Sequence, residues 1–251
     1  MTKVKHLMDE TLDFFWPEKI ICALCEEELG QNSTYFCKKC EPKKLPMDLK
    51  RCRRCSAPIA QAYVSYENYQ YLCKSCQEQS HAYDYHLSLS LYEDSIKKTL
   101  YAMKYQGKTH LAKILGQELA RLYEDNQNRL EDVDYIIPVP SHWTRRAVRG
   151  HHHAAIMAKS MAKKLELPYF NPLKRVKKTS ALSGLRRQER EKTLKDVFRL
   201  KKRYFSQIRG KKLLIVDDIY TTGITVHYCA EILKQSGAEV VYVMTAAMGR
   251  S

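Results

Sequence analysis

The sequence lacks any run of about 18 apolar residues, the length that a helix needs to cross a bilayer. Its first residues, MTKVKHLMDETLDFFWPEK, carry acids inside their apolar patch and no small-residue cleavage site. We therefore expect no membrane insertion and no secretory signal, and we expect the protein to be cytoplasmic. Acidic side chains are also scarce, because 28 Asp and Glu stand against 43 Lys and Arg, which gives a net charge of +15.

The shortage of acid is concentrated in one part of the chain. Residues 174–212 contain 16 Lys and Arg against 3 Asp and Glu, whereas residues 1–80 contain 12 against 11. A concentrated positive field attracts nucleic acid or phosphorylated small molecules. The same segment is also compatible with a solvated basic face that aids solubility.

Cysteine is absent between residues 77 and 228, so that eight of the nine cysteines lie in the first 76 residues. In a reducing compartment, closely spaced thiols are more often metal ligands than disulfides. A C-x-x-C turn aims both sulfurs at one ion, and two such turns complete the tetrahedral shell of Zn²⁺. The sequence contains four of these pairs: Cys22/Cys25, Cys37/Cys40, Cys52/Cys55 and Cys73/Cys76.

Four pairs are enough for two zinc sites. Sequential pairing would give two zinc ribbons in tandem, which we favour, while interleaved pairing would give a cross-braced module. Four sulfurs leave no open coordination position, so we expect both sites to be structural. We predict a double zinc ribbon over 1–80 and a second domain over 81–251. The remaining thiol, Cys229, is expected to be a small buried side chain of a helix.

The second domain alternates between strand and helix patterns. Strands are predicted at 86–92, 134–140, 213–216 and 238–248, and helices at 95–105, 110–125, 152–165 and 224–237. The order of strand, turn, helix and strand over 213–246 is a βαβ unit. We therefore predict an α/β fold with a mostly parallel sheet covered by helices, and a ligand site at the carboxyl ends of its strands.

The stretch LLIVDDIYTTGIT (213–225) lies at such a position. A turn that opens a helix presents backbone N–H groups to an anion, and Gly223 permits the tight path. Two adjacent carboxylates, Asp217 and Asp218, would repel a phosphate but suit vicinal hydroxyl groups. Phosphate beside a diol describes a ribose 5-phosphate. Three hydroxyl groups of the turn can add donors to the phosphate: Thr221, Thr222 and Thr225.

The stretch VDDIYTTGIT resembles the phosphoribosyl-pyrophosphate (PRPP) motif of type I phosphoribosyltransferases. Together with MKYQGK, PVPSHWTRRAVRGHHHAA, LSGLRRQERE and the cysteine pairs, it resembles the competence-protein F (ComF) family over nearly the whole chain. The resemblance implies a type I phosphoribosyltransferase-like fold: a twisted, mostly parallel sheet with helices on both faces, preceded by a small zinc-ribbon module.

The resemblance also implies a set of ligand contacts. Asp217 and Asp218 would hold the ribose hydroxyls, and residues 221–225 the 5-phosphate, with Mg²⁺ accompanying PRPP. Residues around the end of the strand at 134–139 would face the pyrophosphate: Val139, Pro140 and Ser141. Lys104 and Arg145 are further candidates for the pyrophosphate. No catalytic residue is identified.

The chain departs from the family pattern at several polar positions. Where members commonly have RGFNQ, this chain has RGHHH, which places His152 and His153 at the predicted start of a helix. These histidines are compatible with a solvated helix start or, when protonated, with a phosphate contact. At two further positions, members commonly have Gln and Asn, and this chain has Leu182 and Thr193 instead.

Two functions follow from the resemblance. In the first, the protein handles single-stranded DNA during its uptake in natural transformation, in company with other DNA-uptake proteins, and PRPP binding serves as a sensor or is a relic. In the second, it is a Mg²⁺-dependent phosphoribosyltransferase whose acceptor is unknown. The basic segment offers candidate contacts to nucleic acid: Lys177, Lys178, Arg186, Arg187 and Arg190.

Overall fold

The computed structural model describes residues 21–30, 33–45, 50–59, 71–141, 152–177, 193–194 and 196–249. The chain divides into two compact units, of which the first ends at Glu41 and the second begins at Pro42. The second four-cysteine group therefore lies in the larger unit, with the α/β elements. The domain boundary near residue 80, which rests on composition, stays a prediction. No helix in the described ranges has the length and apolar character to cross a membrane.

The helices and strands predicted after residue 80 are all present, together with short elements that were not predicted. The strands are β1 (Tyr85–Leu91), β2 (Tyr135–Pro138), β3 (Leu173–Arg175), β4 (Phe198–Leu200), β5 (Lys212–Tyr220) and β6 (Val240–Met248). The helices are α1 (Lys74–Glu78), α2 (Asp94–Tyr105), α3 (His110–Glu124), α4 (His153–Lys164), α5 (Phe205–Ile208) and α6 (Ile224–Gln235). A single turn of 3-10 helix, Lys202–Tyr204, precedes α5.

The central sheet has the order β1-β6-β5-β2, and each neighbouring pair is parallel. The predicted parallel sheet is confirmed. Since parallel strands end at the same edge, the carboxyl ends of β2 and β5 are neighbours, with Pro138 beside Val216. The segments that follow these two strands are therefore held next to each other.

Both faces of the sheet are covered. Leu213 and Ile215 of β5 belong to one core cluster with Cys229 and Leu233 of α6. Side chains alternate along a strand, so Leu214 and Val216, both fully buried, point to the opposite face. On that side α4 packs against β2 and β5, and α3 packs against α4. Helices on both faces, as the resemblance implied, are thus observed.

The strand that carries the two aspartates is longer than predicted. We expected it to end at residue 216, yet β5 continues to Tyr220 because β6 supplies partners up to Met248. Asp217 and Asp218 therefore lie within the strand, near its carboxyl end, rather than in the loop that follows it. Because successive side chains of a strand point to opposite faces, the two carboxylates approach the site from different sides.

The basic stretch 174–212 contains an element that the sequence patterns did not predict. β3 and β4 form a two-stranded antiparallel ribbon, with Lys174 opposite Arg199. Its apolar residues, including Leu173 and Phe198, join the core cluster that α6 covers. Part of the charge-rich segment is consequently a packed structure with cations on its outer side.

Candidate functional site

The connection between β5 and α6 is the centre of the predicted phosphate cradle. β5 ends at Tyr220 and α6 begins at Ile224, so the loop is only three residues long. Gly223 caps the helix with φ of 72°, a conformation that glycine adopts at little cost. A Cβ atom at this position would lie 2.4 Å from the hydroxyl oxygen of Tyr220. Both the backbone angle and the neighbouring ring therefore demand glycine.

The first turn of α6 is suited to an anion. Its leading N–H groups have no partners within the helix, and the helix dipole gives this end a partial positive charge. There is no acidic residue in that turn. Thr221 is exposed, while Thr222 and Thr225 are half-buried, so hydroxyl donors stand beside the backbone donors. A phosphate group fits this arrangement.

Helix α2 brings a cation to the aspartate pair. Nζ of Lys104 lies 2.7 Å from Oδ2 of Asp218, and both side chains are about four-fifths buried. Burial acts to lower the pKa of Lys104, but the charge of Asp218 outweighs it and the pKa is raised. Burial raises the pKa of Asp217 to about 7, and the charge of Asp218 adds to this effect. The charge of Asp218 is thus balanced by Lys104, whereas the pKa of Asp217 lies close to neutral pH.

The loop after β2 lies directly beside the acids. The N–H of Val139 donates to the carbonyl of Val216 at 3.0 Å, which extends the pairing of the two strands. The hydroxyl oxygen of Ser141 is buried and has no hydrogen-bond partner among the described residues. Buried hydroxyl groups are generally hydrogen-bonded. A buried hydroxyl without such a partner is therefore a candidate to bind a ligand. The predicted pyrophosphate loop and the predicted ribose carboxylates are therefore adjacent.

His152 holds this loop against α4. The N–H groups of Ser141 and Ala155 point at Nε2 and Nδ1 of His152, at 2.8 and 3.0 Å. A neutral imidazole has one acceptor nitrogen, so one of the two contacts is a hydrogen bond at a time. His152 is the N-cap of α4, as the helix-start interpretation predicted. His153 is buried, however, and not solvated as that interpretation expected.

The structure brings most of the predicted PRPP contacts to one edge of the sheet. The acids, Lys104, the loop from Val139 to Ser141 and the turn at Gly223 all lie at the carboxyl ends of β2 and β5. Of the nucleic-acid candidates, Lys177 is described and exposed. The remaining predicted contacts, together with Leu182, lie outside the described residues: Arg145, Lys178, Arg186, Arg187 and Arg190.

The eight paired cysteines form two groups in sequence order, which confirms sequential pairing. The groups are Cys22, Cys25, Cys37 and Cys40, and Cys52, Cys55, Cys73 and Cys76; within each, the four sulfurs lie within 4.8 Å of one another. A Zn–S bond of about 2.3 Å places tetrahedral sulfurs about 3.8 Å apart. The Sγ–Sγ distance is 3.7 Å for Cys25 and Cys37 and 3.6 Å for Cys55 and Cys73. No cysteine is in a disulfide, and the geometry fits a tetrahedral ion.

The two groups are an internal structural repeat. The N–H of Cys22 donates to Glu27 at 2.7 Å, and the N–H of Cys52 donates to Ala57 at 2.8 Å. In each group the residue after the second cysteine has a positive φ, 66° at Glu26 and 59° at Ser56. The same turn therefore presents the first two sulfurs in both groups.

Three aromatic side chains connect the second cysteine group to the turn between β5 and α6. The hydroxyl groups of Tyr83 and Tyr220 are 2.7 Å apart, and the ring of His86 stacks on Tyr220 with centroids 4.1 Å apart. Nδ1 of His86 lies 2.8 Å from the carbonyl of Cys55. A carbonyl can only accept, so Nδ1 carries the proton and Nε2 accepts from the hydroxyl of Thr245, at 2.9 Å. Burial lowers the pKa of His86 to about 4, in keeping with a neutral ring.

Sequence reasoning did not assign these aromatic residues. Tyr220 lies inside the motif stretch itself. His86 begins the strand predicted at 86–92, whose other residues are apolar or small, and this is the one available signal. Their partners are far away in sequence, so spacing cannot reveal the contact. The lone thiol, Cys229, is fully buried as predicted, and burial raises its pKa.

Residues 152–251 match the family model of the phosphoribosyl transferase domain. With the parallel sheet and the cradle at its carboxyl edge, this match defines the class: a phosphoribosyltransferase-like α/β domain. Competence protein F of Haemophilus influenzae is 25% identical over 227 residues, covering 88% of this chain and 94% of that protein. DNA utilization protein YhgH of Escherichia coli is 23% identical over 226 residues, covering 89% and 94%.

The chain is similar to these two relatives over nearly its whole length, and its two four-cysteine groups precede the transferase-like domain. Among solved structures, a phosphoribosyltransferase from Corynebacterium diphtheriae is 21% identical with a TM-score of 0.33, covering 61% of this chain and 71% of that one.

Proposed function

We propose that the protein binds PRPP with Mg²⁺ at the carboxyl edge of its sheet, and that it acts in the cytoplasm in handling single-stranded DNA during natural transformation. One observation carries the PRPP part: a carboxylate pair, Asp217 and Asp218, lies near the end of β5, and a three-residue turn leads from this strand to the helix start at Gly223, which is suited to an anion. The names of the relatives, a competence protein and a DNA utilization protein, support the DNA part.

The described residues suit each part of PRPP. The first turn of α6 takes the 5-phosphate, and the carboxylates accept hydrogen bonds from the ribose hydroxyls. The buried hydroxyl of Ser141 can donate to the pyrophosphate from the neighbouring strand end. Lys104 pairs with Asp218 at 2.7 Å, so a bound pyrophosphate would compete with that carboxylate for the lysine. The site therefore offers donors for phosphate and acceptors for hydroxyls side by side.

The carboxylates also fit the expected cation. Mg²⁺ prefers oxygen ligands and is commonly held by one or two carboxylates together with substrate phosphates. Asp217 and Asp218 are the residues that could complete such a shell. When bound, the ion neutralises charge on a departing diphosphate. The chain's own part would be to orient the ribose and to hold Lys104 and Ser141 against the diphosphate.

Calorimetric titration with PRPP and Mg²⁺ tests the PRPP site. We expect Asp217→Asn/Asp218→Asn to weaken binding on the order of a hundredfold or more, because two hydrogen bonds to charged groups are lost. Asp196→Asn is the matched control, since this aspartate is exposed and lies just before β4, outside the site. Unchanged PRPP affinity in the double variant would overturn the assignment. Single-stranded DNA binding should survive in the same variant.

A second function, PRPP-dependent transfer, is favoured by the combination of Lys104 and Ser141 at the pyrophosphate position. A nucleophile would displace pyrophosphate from C1 of the ribose, so that the new C1–acceptor bond replaces the C1–oxygen bond. The protein would contribute positioning and charge stabilisation. Pyrophosphate release across a panel of nucleobases and amines is the test. Release with any acceptor supports the enzyme, and none throughout supports a binding role.

We further propose that both four-cysteine groups hold structural Zn²⁺. The sulfur spacings fit a tetrahedral ion, and four sulfurs exclude a substrate from the shell. Metal analysis of the purified chain should find about two zinc ions per molecule, as two complete shells require. One ion or none would contradict the proposal.

A further inference from the structure

The strands of the larger unit end at the PRPP site, and a second cavity lies where two of them begin. This cavity of about 730 Å³ lies at the amino-terminal ends of β1 and β6, beside the second cysteine group. We call it the arginine cleft and define it by the side chains that matter most here: Arg51, Arg53, Arg54, Arg129, Tyr71 and Tyr85. None of these residues belongs to the predicted PRPP or nucleic-acid contacts.

The cysteine turn itself delivers three of the arginines. In the segment RCRRC (51–55) the two sulfurs turn inward to the metal group, and the intervening residues remain near the surface. Arg54 donates to the carbonyl of His81 at 2.9 Å, which fixes its direction and leaves further N–H groups. Arg53 is exposed, and its side chain has no hydrogen bond or ion pair with any described residue.

The fourth arginine comes from the opposite wall. Arg129 lies in the connection between α3 and β2, is exposed, and has Nη1 3.5 Å from the hydroxyl oxygen of Tyr85. The ring of Tyr71 forms part of the lining and has the ammonium group of Lys50 5.6 Å from its centroid. Cations thus approach the cleft from two separate parts of the chain.

Among the described residues that line it, the cleft has little opposing charge. Its one carboxylate is Asp84, and that group is already engaged: it lies 2.7 Å from Nζ of Lys234 and accepts the N–H of Val241 at 2.8 Å. The guanidinium groups of Arg53, Arg54 and Arg129 therefore line the cavity without an ion pair to any carboxylate of the described residues. Guanidinium groups bind phosphate in pairs of hydrogen bonds, and tyrosine rings offer apolar surface to bases.

We propose that the arginine cleft binds the phosphate backbone of single-stranded DNA. This inference rests on the proposed role in DNA handling and names a surface for it that is separate from the basic segment 174–212. The cavity has the size of a small-ligand site, which is enough for one or two nucleotides. Its lining lies in turns and at strand starts, and none of the described helices is placed there to enter a duplex groove.

The cleft and the PRPP site lie at opposite edges of the sheet. Tyr85 pairs with Tyr242 at the cleft, while Leu91 pairs with Met248 at the far end, six residues further along each strand. At about 3.3 Å per residue, the two sites are separated by about 20 Å. Both can be occupied at once, so PRPP with Mg²⁺ should not displace the DNA.

Fluorescence anisotropy with a labelled thymidine homopolymer tests the cleft on the full chain. We expect Arg53→Ala/Arg129→Ala to bind on the order of tenfold more weakly, because two exposed charge contacts are lost. The slope of log K against log salt should flatten by about 0.7 for each lost phosphate contact. Lys97→Ala/Lys98→Ala removes the same charge from an exposed face of α2 and should leave affinity and slope near wild type. Unchanged zinc content and melting temperature establish that the cleft variant is folded.

The possible outcomes separate the two proposals. If the wild type binds single strands and the cleft variant keeps both affinity and slope, the cleft assignment is overturned while the DNA role survives. Tighter binding of a duplex than of the homopolymer, or displacement of the homopolymer by PRPP with Mg²⁺, would also overturn it. If the wild type binds no single strand at all, the DNA role fails and the cleft assignment fails with it.

Discussion

The two four-cysteine groups have the same spacing within each pair and the same hydrogen-bonded turn, but they differ in their surroundings. In the first group Cys25 is exposed and Cys37 half-buried, and the group lies in the small unit. In the second, all four cysteines are buried and share one core cluster with Ile215, Val243 and Tyr220 of the α/β unit. The motif therefore specifies the four thiols, whereas the neighbouring residues determine how strongly a loss of metal would lower the stability of the surrounding unit.

The largest effect is expected from removing the second group. Cys52→Ser/Cys73→Ser should prevent the larger unit from folding, because the free energy of binding a structural zinc, about 10–16 kcal/mol, equals or exceeds the stability of a typical domain. The measurement is urea-induced unfolding followed by circular dichroism, with zinc content determined in parallel. A cooperative transition close to that of the wild type would break the comparison.

A smaller effect is expected from a change in the turn between β5 and α6. This turn follows Tyr220, which belongs to the same core cluster as the second group. Gly223→Ala should lower the free energy of unfolding by about 1 kcal/mol for the positive φ alone, and further because the new Cβ would meet the hydroxyl of Tyr220. It should also abolish measurable PRPP binding. Gly210→Ala is a matched control, since Gly210 has φ of 68° and no atom within 4 Å of the added Cβ. Equal losses in the two variants would show that the tyrosine contact contributes nothing.

How far the sequence predicted the structure differs between these same regions. The ligand sets, the parallel sheet and the turn at Gly223 followed from short, local patterns whose physical requirements are strict. The packing of the second group did not, because Tyr83, His86 and Tyr220 meet across more than a hundred residues. The arginine cleft was missed for the same reason: Arg53 and Arg129 come from distant segments. Composition pointed to residues 174–212 because basic residues are frequent there along the sequence. The arginines of the cleft are close in space but not in sequence, so composition does not reveal them.

A third prediction tests the aromatic connection with little disturbance of packing. Tyr83→Phe removes the hydroxyl that lies 2.7 Å from that of Tyr220. We expect a loss of about 1 kcal/mol in unfolding free energy, since a buried hydroxyl loses its partner. Because Tyr220 leads directly into the turn, we also expect a few-fold weaker PRPP binding. Tyr101→Phe, on an exposed face of α2, is the control. An effect on stability without any on PRPP affinity would confine the role of the pair to the core.

The smallest effect on the larger unit is expected from the first group. Cys25→Ser/Cys37→Ser should lower the zinc content to about one ion per chain, since one complete four-sulfur shell remains. The unfolding transition of the larger unit and its PRPP affinity should stay within about 0.5 kcal/mol of wild type, as for changes remote from a core. A chelator should likewise remove the first ion quickly, because Cys25 is exposed, and the second only as the larger unit unfolds. Simultaneous release of both ions, or a large loss of stability in this variant, would mean that the two groups are equivalent after all.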